Sequence, residues 1–298
     1  MNSIYITGSS GFVGTNLKAY LKDTFKTHSM SVRFRDNQVF NIHENGLIHL
    51  AGKAHDLKKV SSPSDYYNAN FELTKQLFDA FLSSNCQVFV FMSMVKAIAD
   101  EVEGILTEDA VPNPKTHYGI AKHQAEEYIL SKEIPAGKRI YILRPCMIHG
   151  PGNKGNLNLL YQLVNKGLPW PLGSFENRRS FLSVENLCFV IKELLENSTI
   201  PSGVYQVADD EPLSTNELIE LLGIGLGKKN RIWKINTFLI QSIAKIGDRI
   251  SFPLNTERLQ KLTENYVVSN AKIIAAMGKS LPVNTKEGLM KTFKSFKH

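Results

Sequence analysis

The first fourteen residues constrain this chain more than any other stretch. A short apolar run at residues 4–7 passes without a spacer into Thr7-Gly8-Ser9-Ser10-Gly11-Phe12-Val13-Gly14, and a helical pattern over 12–23 follows at once. A strand, a glycine-rich turn and a helix in that order build an anion site. Glycines let the backbone turn tightly and let a pyrophosphate approach, while the helix aims its free N–H groups and positive dipole end at that charge. The spacing is G-x-x-G-x-x-G rather than the commoner G-x-G-x-x-G. A plain glycine-rich turn is the competing reading, and the position between strand and helix favours the phosphate loop.

The rest of the first half repeats the same alternation. Apolar runs at 31–34, 47–50, 88–91 and 140–143 read as strands, and 65–83 and 118–131 read as helices. Strands alternating with helices predict an α/β fold, a Rossmann-type doubly wound parallel sheet covered on both faces. After Arg144 the punctuation changes, with prolines and glycines crowding residues 145–173. The expected division is therefore a dinucleotide-binding domain over 1–148 and a smaller, mixed substrate-binding region over 149–298. A strand at 204–207 returns to the first sheet within the segment 181–208, and a helical tail begins at 217–222. The amphipathic stretch 238–250 reads as a core-facing helix, with membrane contact as the alternative.

A dinucleotide site commonly has an acidic residue about 20 positions on, holding the adenosine ribose. Here that region is Ser31-Val32-Arg33-Phe34-Arg35-Asp36. Arginines welcome a 2′-phosphate, which favours NADP over NAD; Asp36 serving NAD, or solvated arginines, are the alternatives. Farther on, Tyr118-Gly-Ile-Ala-Lys122 puts a phenol and an ammonium one helical turn apart. Side chains at i and i+4 share a face. An adjacent ammonium favours the phenolate, so this spacing predicts a lowered tyrosine pKa and a proton-exchange role.

Taken in order, these motifs resemble the extended short-chain dehydrogenase/reductase superfamily, and within it the NAD(P)-dependent nucleotide-sugar epimerases, dehydratases and reductases. The resemblance rests on TGSSGFVG at 7–14, HLAGKAH at 49–55, Asn70, YGIAK at 118–122, RPCMIHGPGNKGN at 144–156, LPWPLG at 168–173, RRSFLSVENL at 178–187 and Val268-Ser269-Asn270. It implies that Gly8, Ser10, Gly11, Phe12, Val13 and Gly14 hold the cofactor pyrophosphate. Leu50, Ala51 and Gly52 line the cofactor, with Asn70 supporting that end of the sheet and Arg33 at the ribose. Tyr118 is the general acid/base, Lys122 holds the nicotinamide ribose and tunes Tyr118, and Pro145 packs near the nicotinamide. Asn156 and Arg179 match positions that bind a UDP diphosphate, and 168–172, beginning at Leu168, match a strand beside the uracil. A surface ion pair is the alternative for Arg179.

Two departures from the family pattern stand out. The family usually carries a hydroxyl where this chain has Met94, with Ser93 one position earlier. Met cannot donate a strong hydrogen bond, so Ser93 or another donor substitutes, or activity is weakened. Little sequence separates Phe34 from Leu47, which trims the adenine pocket and leaves Asn41-Ile42 as its expected contact. The Lys96, GPGNKGN, LPWPLG and NRRSF combination looks most like enzymes of bacterial surface-polysaccharide synthesis. The resemblance then implies a 4-epimerase or 4-reductase acting at C4 of a UDP-N-acetylhexosamine or its 4-keto-6-deoxy derivative. The alternative is a catalytically weakened dinucleotide-binding sensor or scaffold of the same fold.

Charge and cysteines bound the partners. The formal net charge is +7, without a basic block that would suggest nucleic acid. Cys86, Cys146 and Cys188 are scattered in apolar contexts, which reads as reduced buried thiols and no metal site. The start MNSIYITGSS lacks the pattern of a signal peptide, and no apolar run reaches the ~18–20 residues of a membrane helix. A cytoplasmic protein is expected, paired as a homodimer through the helices at 65–83 and 118–131 as relatives are.

Overall fold

The computed structural model describes residues 2–53, 62–153, 157–250 and 254–296. Its centre is a six-stranded, all-parallel sheet whose strands lie in the spatial order Lys26–Met30, Ser3–Thr7, Gly46–His49, Val88–Met92, Arg139–Pro145 and Gly203–Val207. β1 (Ser3–Thr7) leads into α1 (Phe12–Leu21), and β2 (Lys26–Met30) pairs on its outer side. β3 (Gly46–His49) pairs on the other side of β1, and β4 (Val88–Met92) beyond it. The chain thus reverses direction across the sheet at β1, the switch point where a doubly wound sheet opens a crevice at its carboxyl edge. The buried strands are continuous hydrophobics: Phe89, Val90 and Phe91 in β4 are fully enclosed, as parallel strands covered by helices should be.

The second strand differs from its expected place. Residues 31–34 are not a strand; β2 is Lys26–Met30, whose register ends at Thr7↔Met30. Lys-Thr-His-Ser-Met is polar because this edge strand has only one buried neighbour, so hydropathy alone points past it. Beyond it the chain crosses the loop edge of the sheet, with Val32 and Phe34 packing inward and Arg33 exposed. No helix occupies 31–45.

The helical run after β3 consists of α2 (Pro63–Tyr67), a π-helical turn at Asn68–Glu72, and α3 (Leu73–Leu82). A π-turn widens the helix locally and commonly sits at a functional site; here it projects Asn70 toward the β3 loop. A two-residue strand, β5 (Ile105–Leu106), precedes α4 (His117–Leu130), which carries the Tyr118–Lys122 pair and starts on Thr116, whose hydroxyl accepts the Gly119 N–H. β6 (Arg139–Pro145) follows, then β7 (Met147–His149), α5 (Leu157–Asn165) and β8 (Phe181–Ser183). α6 (Val184–Glu196) packs on α1, and β9 (Gly203–Val207) completes the sheet beside β6.

The C-terminal half has its own core of Leu160, Trp170, Leu172, Phe181, Leu222 and Phe293. It is drawn from α5, α7 (Thr215–Leu226), α8 (Thr237–Ile250), α9 (Thr256–Thr263) and α11 (Thr285–Ser295). β10 (Val267–Val268) pairs with β5, and α10 (Ala271–Met277) packs on β9, so Ile273 and Met277 belong to the first core. α8 is only partly core-facing: Ile240 and Ala244 are buried, but Phe238, Leu239 and Ile246 face solvent. Cys86, Cys146 and Cys188 are all buried free thiols.

Candidate active site

The phosphate loop is shaped by contacts that only glycine allows. Gly8 has φ +64°, and a Cβ there would lie 2.8 Å from the Ala51 nitrogen; a Cβ on Gly14 would collide with the Gly8 carbonyl. Gly11 caps α1 without any side-chain bond, and the first turn has no acidic residue. The amides of Phe12 and Val13 are therefore free for an anion, while their side chains pack against the core. Ser10 is exposed at the tip. This cradle fits the diphosphate of a dinucleotide.

A buried polar chain ties the loop to β3 and the π-turn. The Ala51 N–H donates to Thr7 Oγ1 at 3.0 Å, and Thr7 Oγ1 lies 2.8 Å from His49 Nδ1. Thr74 Oγ1 donates to the Asn70 carbonyl at 2.8 Å, so His49 Nε2–H, 3.1 Å away, must be the donor to Thr74. Nδ1 then accepts from Thr7. Burial, with help from Lys122, holds the His49 pKa well below its usual value, which keeps that tautomer neutral. Asn70 itself is bonded both ways to the backbone of Lys53. It therefore shapes the loop Leu50-Ala51-Gly52 rather than presenting a free amide.

Two hollows meet at Leu50 and Gly52. One, of about 720 Å³, is lined by Gly8, Ser10, Gly11, Arg33, Ala51 and Asp65 among others. The second, of about 420 Å³, is lined by Ser93, Met94, Lys96, Tyr118, Lys122, Pro145, Arg179 and Tyr266 among others. The cleft thus runs from the phosphate loop to the Tyr–Lys pair along the carboxyl edge of the sheet. Asn41 and Ile42 line a separate hollow with Gln38 and Asp79, so they do not join this cleft.

The reactive pair sits deep. Lys122 is buried, its Nζ donating to the Met92 carbonyl at 2.8 Å and lying 4.6 Å over the Phe91 ring. Burial lowers its pKa to about 7, against an opposing pull from Glu126. Burial also pushes the Tyr118 phenol up to about 12. The lowered tyrosine pKa expected from spacing alone is absent, because the ammonium bonds a carbonyl and desolvation of the phenol dominates.

Sequence reasoning missed the charge pair beneath this site. Arg144 on β6 meets Glu126 on α4 with Nε at 3.1 and 3.0 Å and Nη2 at 2.6 Å, both side chains buried. Ser93 donates its hydroxyl proton to the same Glu126 carboxylate, so its proton is directed away from the cavity. Met94 stands at the wall, capping the short turn Val95–Ala97. Lys96 lies 5.7 Å over the Tyr266 ring, a wall residue that no motif had singled out.

The proposed substrate positions divide. Arg179 lines the cavity, but Nη1 donates to the Lys261 carbonyl at 2.5 Å and Nη2 pairs with Glu264 at 3.3 Å. Leu168 does not reach the cavity: it is 54% exposed, and only Trp170 and Leu172 of that segment turn inward, bridging to Ile232 and Lys234. Asn156 lies outside the described residues, as does part of 49–55. No cluster of three metal-ligating side chains occurs among the described residues.

Residues 4–208 match the NAD dependent epimerase/dehydratase family. The chain belongs to that family. It is 28% identical over 322 residues to UDP-glucose 4-epimerase of Vibrio cholerae, covering 99% of this chain and 95% of the relative. It is 27% identical to N-acetyl-alpha-D-glucosaminyl-diphospho-ditrans,octacis-undecaprenol 4-epimerase of Escherichia coli O157:H7, over 76% of this chain and 73% of that one. Among solved structures, RMD from Pseudomonas aeruginosa complexed with NADPH superposes with a TM-score of 0.72 at 22% identity, covering 99% of each chain. As a member of the epimerase/dehydratase family the chain is an NAD(P)-dependent nucleotide-sugar enzyme with the Rossmann-like fold expected of it.

Proposed function

We propose that this enzyme transfers hydride at C4 of a UDP-N-acetylhexosamine or its 4-keto-6-deoxy derivative, as a 4-epimerase or 4-reductase of bacterial surface-polysaccharide synthesis in the cytoplasm. The observation that carries this reading is the continuous cleft joining an uncapped phosphate loop to Tyr118 and Lys122. Bound NAD(P) would supply the hydride acceptor or donor, held by the amides of the 8–14 loop, by Leu50-Ala51-Gly52 and by Lys122 and Pro145. Tyr118 gives or takes the proton at the C4 oxygen. Arg179 and Tyr266 wall the far end of the cavity, where a UDP diphosphate and sugar would meet a forked cation. A homodimer paired through the helical run over 65–83 and α4 belongs to the same reading. Incubation of the purified protein with UDP-GlcNAc, and with its 4-keto-6-deoxy derivative, with each cofactor, tests it. NMR of the sugar separates inversion at C4 from reduction, and no conversion of either sugar would support the sensor or scaffold instead.

Two substitutions probe the finer assignments. Arg33 is exposed beside Gly8 and Ser10 in the cleft, while Asp36 is absent from that lining. A charge-assisted bond from Arg33 to a 2′-phosphate predicts that Arg33→Ala weakens NADPH binding about tenfold or more and leaves NADH nearly unchanged. Equal losses for both cofactors in a fluorescence titration would remove Arg33 from that role. Met94→Ser restores a hydroxyl at the cavity wall, and one added hydrogen bond to the C4 oxygen should raise kcat by about tenfold. A fall in kcat would show that the thioether is fitted to this substrate.

A further inference from the structure

The stretch from the end of α7 through α8 exposes large apolar side chains and many cations to solvent. Ile224, Trp233, Phe238, Leu239 and Ile246 are 70%, 51%, 77%, 53% and 59% exposed. In α8, Ile240, Ala244 and Gly247 point inward. On the opposite side Phe238, Ser242, Lys245 and Arg249 follow one another at spacings of four, three and four, with Leu239 and Ile246 beside them. Such spacing puts them on one stripe. The apolar sector of the helix therefore extends past its core contact onto solvent at Leu239 and Ile246, beside a basic stripe, which the packing of the domain does not require.

The charge is as uneven as the hydrophobicity. Residues 224–249 contain six cations and a single carboxylate, Asp248, a surplus of five out of the chain's net +7. Asp248 is taken up by the Thr256 amide and hydroxyl. Lys229, Arg231, Lys234, Lys245 and Arg249 are all exposed. None of them appears in an ion pair among the described residues, where the exposed pairs lie elsewhere, as at Lys261–Glu257 and Lys291–Glu185.

We propose that this face docks on an anionic lipid bilayer, with α8 lying in the interface plane. An interfacial helix needs large apolar and aromatic side chains to enter the headgroup region and lysines and arginines at its border to meet lipid phosphates. Each cation near an anionic leaflet adds to the attraction, and the solvated aromatic and aliphatic side chains supply the rest. A second copy of the chain is a poorer occupant, because a two-fold contact sets the same patch against itself and brings the positive charges together. Nucleic acid would use the cations and leave the aliphatic side chains in water. No described helix is long and apolar enough to cross a membrane, so the contact is peripheral.

Co-sedimentation of the full chain with vesicles tests this. One set is phosphatidylcholine with about 30 mol % phosphatidylglycerol and the other is phosphatidylcholine alone. The chain should pellet with the anionic vesicles, stay largely free of the neutral ones, and be released as salt rises toward about 1 M. Trp233→Ser/Phe238→Ser and, separately, Lys245→Glu/Arg249→Glu should each weaken that binding by about tenfold or more, with far-UV circular dichroism and cofactor affinity unchanged. Absence of binding, equal binding to both vesicle types, or unchanged binding of both double variants would overturn the proposal. So would a doubled solution mass that Trp233→Ser/Phe238→Ser abolishes, since the face would then join two copies, or retention on nucleic acid without retention on vesicles.

Discussion

Tyr118→Phe is expected to lower kcat for C4 chemistry by about 10²–10⁴-fold, the usual contribution of one positioned proton donor or acceptor. The change removes a single oxygen from a half-buried ring that packs 6.3 Å from Tyr66, so the fold should be undisturbed. Burial pushes the phenol up to about 12, so at neutral pH it carries its proton and is set to act as an acid toward a C4 carbonyl oxygen. Acting as a base, it must shed that proton with help from the Lys122 ammonium one turn away. That ammonium titrates near about 7 and so loses charge as pH rises through neutrality. Cofactor affinity should change by less than about threefold, because Gly8, Gly11 and Gly14 are untouched. Single-turnover kinetics with NMR of the sugar measure the loss, and turnover within about threefold of the parent protein would take Tyr118 out of the mechanism.

Arg144→Leu should be the most destabilising conservative-size change in the molecule, costing about 3–5 kcal/mol in urea unfolding. It leaves the Glu126 carboxylate 1% exposed, with Ser93 as its remaining side-chain hydrogen-bond donor. A buried charge without its partner is costly because the protein interior solvates it poorly. Replacing both members, as in Glu126→Met/Arg144→Met, should recover much of the loss, since two apolar side chains of similar volume need no solvation. A double-mutant cycle gives the coupling. If Arg144→Leu changed stability by less than about 1 kcal/mol, the pair would be ornamental rather than a structural tie between β6 and α4. Because the same carboxylate holds Ser93, the single variant should also raise disorder at the cavity wall around Met94.

How much of this was legible beforehand differs from residue to residue, for physical reasons. The 4–14 loop was readable because its constraints are local: a strand that must be buried, a turn that only glycine permits, and a helix start without a cap. The Tyr118–Lys122 spacing was readable for the same reason, since a helix fixes which side chains share a face. β2 was misplaced because an edge strand beside one neighbour needs few hydrophobics, so Lys26–Met30 carries no signal while Val32 and Phe34, which pack from a loop, do. Leu168 stands outside the cavity lining because an apolar residue beside two buried ones, Trp170 and Leu172, can still point outward. The π-turn at Asn68–Glu72 has no pattern of its own; it exists where Asn70 reaches the Lys53 backbone.

By itself, then, the order of residues determined the alternating strand and helix plan, the glycine-rich turn between β1 and α1, and the helical face that Tyr118 and Lys122 share, because each depends on neighbours within one turn or one strand. Tertiary structure alone decided the electrostatics. Parallel register of β4 and β6 sets Met92 beside Leu143, which places Ser93, Glu126 and Arg144 in one buried cluster from three distant stretches. Burial raised the Tyr118 pKa to about 12, against the lowering its spacing implied, and lowered that of Lys122 to about 7. The side of α8 that meets solvent was likewise chosen by packing, since its apolar sector is wider than the core contact and only the fold selects which part of it stays outside.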